Sequence, residues 1–246
     1  MSNQSSLNRS RTKLNNPING FLLVNKPAGV TSFDVVRKVR KITTEQKVGH
    51  CGTLDPFATG LLILALGRPF TKQIFKFQCL PKTYQSTMVL GIETDTHDID
   101  GKVSALTPVL VSNESITSAF TPFKGDISQI PPQFSAKKLN GKRAYSLARK
   151  GLTVKLDPVT VTIHDLSIQK IIPKIFKEVE FELICSSGTY VRSLARDIGY
   201  TCQCGAILKS LSRVAIGSYA SENAISYDSL TGSLINDHIF SQSPKS

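Results

Sequence analysis

The chain is predicted to take an α+β fold. Three observations carry that reading. Strand-like apolar or alternating segments recur along its 246 residues, stretches with helical spacing are interspersed among them, and the two do not alternate with the regular βαβ period of a doubly wound sheet. There are no internal repeats and no low-complexity segments. The length suits one large domain or two small ones, and an apolar content of 40% is ordinary for a protein that buries a core.

Residues 1–19 are polar and lack the apolar centre of a secretory signal, so they read as a flexible extension. Order is expected from Gly20. Residues 21–24 predict a strand, closed by the turn Asn25-Lys26-Pro27-Ala28-Gly29. Thr31-Ser32 offers a helix N-cap before Val35, Val36, Val39 and Ile42, which keep helical spacing, with Arg37, Lys38, Arg40 and Lys41 on a solvated face. Residues 44–60 have no period and predict a loop. Residues 61–66 predict a buried strand and 82–90 an alternating one. An acidic loop over 93–101 and a short helix over 115–123 follow. Two strands are expected near 158–165 and 178–185. A helix then starts around Ser187-Gly188-Thr189, with Val191, Leu194 and Ile198 on its apolar face. Residues 206–211 predict a last helical piece and 213–219 a last strand.

Thirty Lys and Arg stand against eighteen Asp and Glu, a formal net charge of +12 that fits a polyanionic partner. The imbalance is sharpest over residues 134–155, where seven residues are basic and none is acidic. Lys137, Lys138, Lys142 and Arg143 in this stretch suit phosphate contact, and Phe134 and Tyr145 could stack or pack. No apolar run approaches the length of a membrane span; the longest, 61–66, is strand-sized. Five scattered cysteines predict reduced thiols and a cytoplasmic setting. Cys202 and Cys204 have no second pair at zinc spacing. Asp95, Asp98 and Asp100 lack the frame and closing Glu of a calcium loop and predict a structural turn. Cys51 has no clear activating base.

The chemistry is expected in Gly49-His50-Cys51-Gly52-Thr53-Leu54-Asp55-Pro56-Phe57-Ala58-Thr59-Gly60. Its glycines permit tight turns, and Pro56 stiffens the step after Asp55 and disfavours α geometry there. A carboxylate held in this way can be a nucleophile, a base or a metal ligand. An aspartate before proline also serves as an ordinary turn cap, and the residues alone leave these roles open.

The segment resembles the catalytic loop of the TruB family of tRNA pseudouridine synthases, and the likeness extends along the chain in the family's order, from about Gly20 to Tyr219. Asn25-Lys26-Pro27 with Thr31-Ser32 resembles the first motif, and Lys82-Thr83-Tyr84 the lysine-and-tyrosine strand. Residues 91–98 resemble the acidic turn. Pro131-Pro132-Gln133-Phe134-Ser135-Ala136-Lys137-Lys138, with Gly141-Lys142 and Tyr145, resembles the RNA-gripping insertion. Gly188-Thr189-Tyr190-Val191-Arg192 and Gly205-Ala206 resemble the later motifs. The resemblance implies a mixed, largely antiparallel central sheet flanked by helices, with a basic insertion over about 124–155. It implies isomerisation of uridine to pseudouridine at T-loop position 55 of tRNA, with Asp55 as nucleophile, Tyr84 against the uracil ring and Arg192 paired with Asp55. It places His50 near the flipped-out nucleotide, gives Lys26 substrate positioning or loop structure, and makes Leu211 a pocket residue. The reaction so implied needs no cofactor and no metal.

Three positions depart from the family's habit: Cys51 stands for threonine, Phe134 for tyrosine, and Ser212 for arginine. The expected organisation is a flexible extension over 1–19, a catalytic domain over 20–219, and a short tail over 220–246 with no separate C-terminal RNA-binding module. The expected partner is tRNA, with no membrane and no obligate protein partner, and a monomer is favoured. Two other functions share some of these features. A non-catalytic tRNA-binding or tRNA-folding protein would share the charge, and a nucleoside hydrolase or glycosylase would share a nucleophilic aspartate.

Overall fold

The computed structural model describes residues 18–135, 137–139, 142–144, 147 and 156–244. Its framework is one sheet of ten strands among the described residues. In chain order these are β1 (Gly20–Lys26), β2 (Val48–His50), β3 (Thr59–Leu66), β4 (Lys82–Leu90), β7 (Gly125–Gln129), β10 (Val159–Ile172), β11 (Glu178–Cys185), β12 (Ala206–Ile216), β13 (Tyr219–Ala220) and β14 (Ile225–Ser226). The spatial order is β14-β1-β3-β12-β4-β11-β10-β7, with β2 on β3 and β13 on β12. Only β1–β14 and β3–β12 run parallel. The remaining ladders are antiparallel, so the sheet is mixed and largely antiparallel, as the family resemblance implies. Two small ladders stand apart: β5 (Ile92–Thr94) with β6 (Val103–Leu106), and β8 (Lys138–Leu139) with β9 (Lys142–Arg143). The helices are α1 (Ser32–Thr43), α2 (Arg68–Thr71), α3 (Ile74–Gln78), α4 (Asn113–Phe120), α5 (Val191–Thr201) and α6 (Gly232–His238).

The strand β3 explains its own unbroken apolar sequence. Leu62, Leu64 and Leu66 pack with Val35, Val36 and Val39 of α1, while Leu61, Ile63 and Ala65 pack on the opposite side with Phe21 and Phe77. A strand covered on both faces loses its alternation. A third cluster joins α4 and α5 to β4, β10, β11 and β12. α1 begins with a capping box: the Thr31 hydroxyl accepts from Asp34 N and the Asp34 carboxylate accepts from Thr31 N, both at 3.1 Å.

Several elements differ from expectation. Residues 206–211 are not helical but the first half of β12. Ala206, Ile207 and Leu208 are all buried, and bulges at Leu208/Ser210 and Arg213/Ala215 break the period of two that would have marked a strand. The 44–60 loop contains β2, and β10 runs on to Ile172. β7 was not anticipated. The segment expected as a tail is folded against β1: Ile225 pairs with Val24, Phe240 bridges Phe21, and Ile235 is fully buried.

One row of cross-strand partners governs the site. Lys26 lies opposite Gly60, Gly60 opposite Arg213, Arg213 opposite Tyr84, and Tyr84 opposite Leu183. Gly60 sits at φ +100°, and a Cβ there would lie 2.3 Å from the Arg213 carbonyl oxygen. Gly60→Ala is therefore expected to cost about 2–4 kcal/mol, from backbone strain and steric displacement together. Urea denaturation of the variant and the parent checks this.

Candidate active site

Asp55 stands on the loop between β2 and β3, and the loop is fastened from three sides. The Ser32 hydroxyl at the start of α1 accepts from Leu54 N at 2.9 Å and donates to Leu54 O at 3.1 Å. The Lys26 ammonium is fully buried and donates to Pro27 O at 2.8 Å, Val30 O at 2.7 Å and Pro56 O at 3.3 Å. Arg213, 2% exposed, donates from Nε to Leu61 O at 2.8 Å and from Nη2 to Gly52 O at 3.1 Å. Gly29 N adds a 2.9 Å bond to Pro56 O. Each end of the loop is thus tied to a cation on the sheet, and its middle to a helix.

The carboxylate itself is met by Arg192, from the first turn of α5. Arg192 Nε donates to Asp55 Oδ2 at 2.8 Å. Its Nη1 donates to Thr96 O at 2.9 Å and lies 3.4 Å from Asp98 Oδ2, and its Nη2 donates to Phe134 O at 3.0 Å. The Arg192 side chain is 4% exposed while Asp55 is 34% exposed, so the arginine is a wall and the carboxylate faces the opening. Asp197, the other partner open to an arginine at this point of the helix, is taken by Arg196 at 2.7 Å. α5 is set in place by Gln129, whose Oε1 accepts from Tyr190 N at 2.8 Å where no side chain of its own caps the helix.

A cleft of about 310 Å³ opens beside Asp55, a size at the small end for ligand pockets. Tyr84, Leu211, Arg192, Tyr190, Lys82 and Arg213 all line it. Burial pushes the Tyr84 hydroxyl's ionisation up, and the Arg213 charge opposes that. Lys82 is buried, bonded to the Gln78 and Leu80 carbonyls, and pushed down to about 8, first by burial and then by Arg213. Burial raises Cys51 to about 12, so its thiol stays protonated at neutral pH and is no nucleophile. Asp98 is also raised by burial, against the opposing pull of the Thr96 hydroxyl at 2.5 Å and Arg192.

Of the residues expected at the site, the structure brings Asp55, Tyr84, Arg192 and Leu211 to one cleft. Lys26 backs the loop, with its ammonium spent on carbonyls. His50 ends β2, two residues before Gly52, and is not part of the cleft wall. Lys137 donates to Asp157 O at 3.2 Å. Lys138, Lys142 and Arg143 lie on the β8–β9 ladder, Lys138 opposite Arg143; Tyr145 lies outside the described residues. Sequence reasoning missed two groups. Asp98 reads as part of a structural turn, although it is the second carboxylate on Arg192. Arg213 was unmarked because an arginine in a strand ordinarily faces solvent. The available signal was its position two residues after Leu211, on the same side of an alternating strand.

An arginine-pinned aspartate over a base-sized cleft, on a mixed sheet with this strand order, defines the pseudouridine synthase class. A chain of a solved Cbf5–Nop10–Gar1 complex superposes with a TM-score of 0.64 at 28% identity over 84% of this chain and 52% of that one, so the match spans about half of the longer protein. The sequence model described as TruB family pseudouridylate synthase (N terminal domain) matches residues 40–191. The tRNA pseudouridine synthase B of Protochlamydia amoebophila (strain UWE25) is 41% identical over 221 residues, covering 90% of this chain and 83% of that protein. Its counterpart in Clostridium novyi (strain NT) is 45% identical over 225 residues, covering 91% and 76%. The chain belongs to the TruB family of pseudouridylate synthases.

The buried Lys26 gives a stability test. Burial pushes it from 10.5 to about 8, with Asp55 pulling the other way. Between these values the unfolded chain carries a proton on Lys26 that the folded chain has released. Unfolding then takes up a proton, so this group's contribution to stability rises with pH from about 8 to 10.5 and is level below 8. The stability difference, wild type minus Lys26→Met, should follow that course. Denaturant titrations at neutral and alkaline pH check it.

Proposed function

We propose that this protein isomerises uridine to pseudouridine at T-loop position 55 of tRNA, with Asp55 as the nucleophile. The observation that carries the reading is the 2.8 Å contact from Arg192 Nε to Asp55 Oδ2, made by a buried arginine to a carboxylate open to a cleft. An arginine presents fixed, planar donors, so it holds the carboxylate aimed at the cleft. The target nucleotide leaves its stack to reach such a cleft. Asp55 attacks it, and the N1–C1′ bond breaks. The uracil turns, C5 bonds to C1′, the C5 proton leaves, and N1 gains a proton. The covalent step divides one difficult displacement into two.

Tyr84 lies against the uracil ring and takes the C5 proton, Leu211 packs on the base, and His50 meets the RNA beside the loop. Lys26 supports the loop rather than the substrate. The insertion over about 124–155, with Lys137, Lys138, Lys142 and Arg143, grips RNA phosphates as part of a catalytic unit that begins at Gly20 and takes in the 225–240 segment paired with β1. The workplace is the cytoplasm, where free cysteines are ordinary. No helix among the described residues is long and apolar enough to cross a membrane. A protein that only bound or folded tRNA would have no need of a buried arginine aimed at one carboxylate.

An unmodified tRNA transcript tritiated at uridine C5 separates the readings. The protein should release tritium and leave pseudouridine in the T-loop, and Asp55→Ala should release none. Binding without release would support the folding role, free uracil would indicate a hydrolase, and full activity in Asp55→Ala would remove the nucleophile assignment.

Neutralising Lys137, Lys138, Lys142 and Arg143 together should weaken tRNA binding and flatten its dependence on salt. The log–log slope should fall by about 0.7–0.9 for each phosphate that the variant no longer neutralises. A salt series by filter binding reads this, and an unchanged slope would show that the insertion does not touch the phosphates.

A further inference from the structure

Arg213 is given no part by the chemistry described so far beyond holding the loop, yet its place in the sheet gives it a second neighbour. Arg213 and Tyr84 are direct partners in the β4–β12 ladder, and both line the cleft that holds Asp55. Opposed residues on antiparallel strands carry Cβ atoms about 4.5–5.5 Å apart, so the guanidinium reaches the phenol with no movement of the backbone. Arg213 donates to Leu61 O and Gly52 O, and its Nη1 stands 3.5 Å from Thr53 O. Those acceptors are all carbonyls. Unlike Arg192, Arg213 is bonded to no carboxylate among the described residues. A guanidinium has five N–H groups, so donors remain after the three carbonyls, and the Arg213 charge acts on the Tyr84 hydroxyl beside it, favouring the ionised form that burial opposes.

The chemistry of C5 gives that contact a use. Once C5 is bonded to C1′, the ring regains its conjugation only by losing the C5 proton to a base. A buried neutral phenol is a poor base, because burial opposes the phenolate. A fixed positive donor at the phenol oxygen favours it.

The geometry points to Arg213 as the positioning residue for Tyr84: it fixes the phenol oxygen over the cleft and supplies the positive charge beside the phenolate that accepts the C5 proton. Its bonds to Gly52 O and Leu61 O tie it to the start of the Asp55 loop and to β3 just beyond the loop's end, so nucleophile and base are referred to one rigid unit. In the step itself the C5–H bond breaks and its electron pair forms the C5–C6 double bond. The electrons of the C6–N1 double bond move to N1, which takes a proton from water. The C5 proton passes to Tyr84 Oη, and Tyr84 returns it to water before the next turnover. The inference rests on the role proposed for Tyr84 above.

Single-turnover rates across pH, on tRNA carrying protium or deuterium at uridine C5, test it in Arg213→Met, Arg213→Lys, Tyr84→Phe and the double variant Arg213→Met/Tyr84→Phe. Folding is checked by circular dichroism. Arg213→Met is expected to be slower by on the order of 10²-fold, to show a larger C5 isotope effect than the parent, and to cost nothing further once Tyr84 is Phe. Arg213→Lys keeps the charge but loses the fork. It should recover part of the rate, with the rising limb of its pH profile moved to higher pH. A slowed Arg213→Met with the parent's isotope effect, or losses that multiply with those of Tyr84→Phe, would assign Arg213 to the loop alone and overturn the inference. A fully active Tyr84→Phe would remove the Tyr84 role and the inference with it, an outcome distinct from the first. If Arg213→Met does not fold, Arg213→Lys decides: an unmoved limb with the parent's isotope effect counts against the inference, and a moved limb supports it.

Discussion

The Arg192 guanidinium draws four separate parts of the chain to one point. α5 carries it, the β2–β3 loop gives it Asp55, the acidic turn gives it Thr96 O and Asp98, and the base of the insertion gives it Phe134 O. Burying a cation costs several kcal/mol unless its donors are satisfied and its charge is met. Here the donors have acceptors and two carboxylates face the charge. Losing the contact to Asp55 or to Phe134 O would leave a buried donor unpaired, so the segments hold one another in place. That coupling is why an exposed loop can keep a carboxylate in one orientation.

The sheet supplies the second constraint. The row from Lys26 through Gly60 and Arg213 to Tyr84 crosses it beneath the Asp55 loop. Gly60 has no side chain, and β3 and β12 meet closely there, which brings Arg213 under the loop carbonyls. Lys26 and Arg213 clasp opposite ends of the loop. Around the cleft, Lys82, Arg192 and Arg213 outnumber Asp55, and this local positive excess agrees in sign with the net charge of the chain. Such a field draws a polyanion toward the opening.

Much of this was legible in the residues. The apolar run of β3, the alternation of β4 and the cap of α1 each follow from local chemistry. The ordered motifs pointed to Asp55, Tyr84 and Arg192, which do meet in one cleft. What escaped the sequence depends on pairing between distant segments. β12 reads as part helix because it is central, buried early and twice bulged, and tertiary pairing overrides its local pattern. Asp98 looks like a turn residue until α5 brings Arg192 to it. Arg213 looks like a surface arginine until the register places it in the row. Lys26 was open to two roles, and its hydrogen bonds to three carbonyls favour loop structure.

The central claim is that Arg192 acts by aiming Asp55, not by holding RNA. Replacing Arg192 by Lys keeps the charge but cannot reach all four acceptors from one planar group. The direct measurement is the single-turnover rate of Arg192→Lys alongside its dissociation constant for tRNA. The account predicts a rate lower by on the order of 10²-fold, the scale of an ångström's misplacement of a reacting group, with affinity for tRNA unchanged. A parental rate, or a loss confined to affinity, would contradict it.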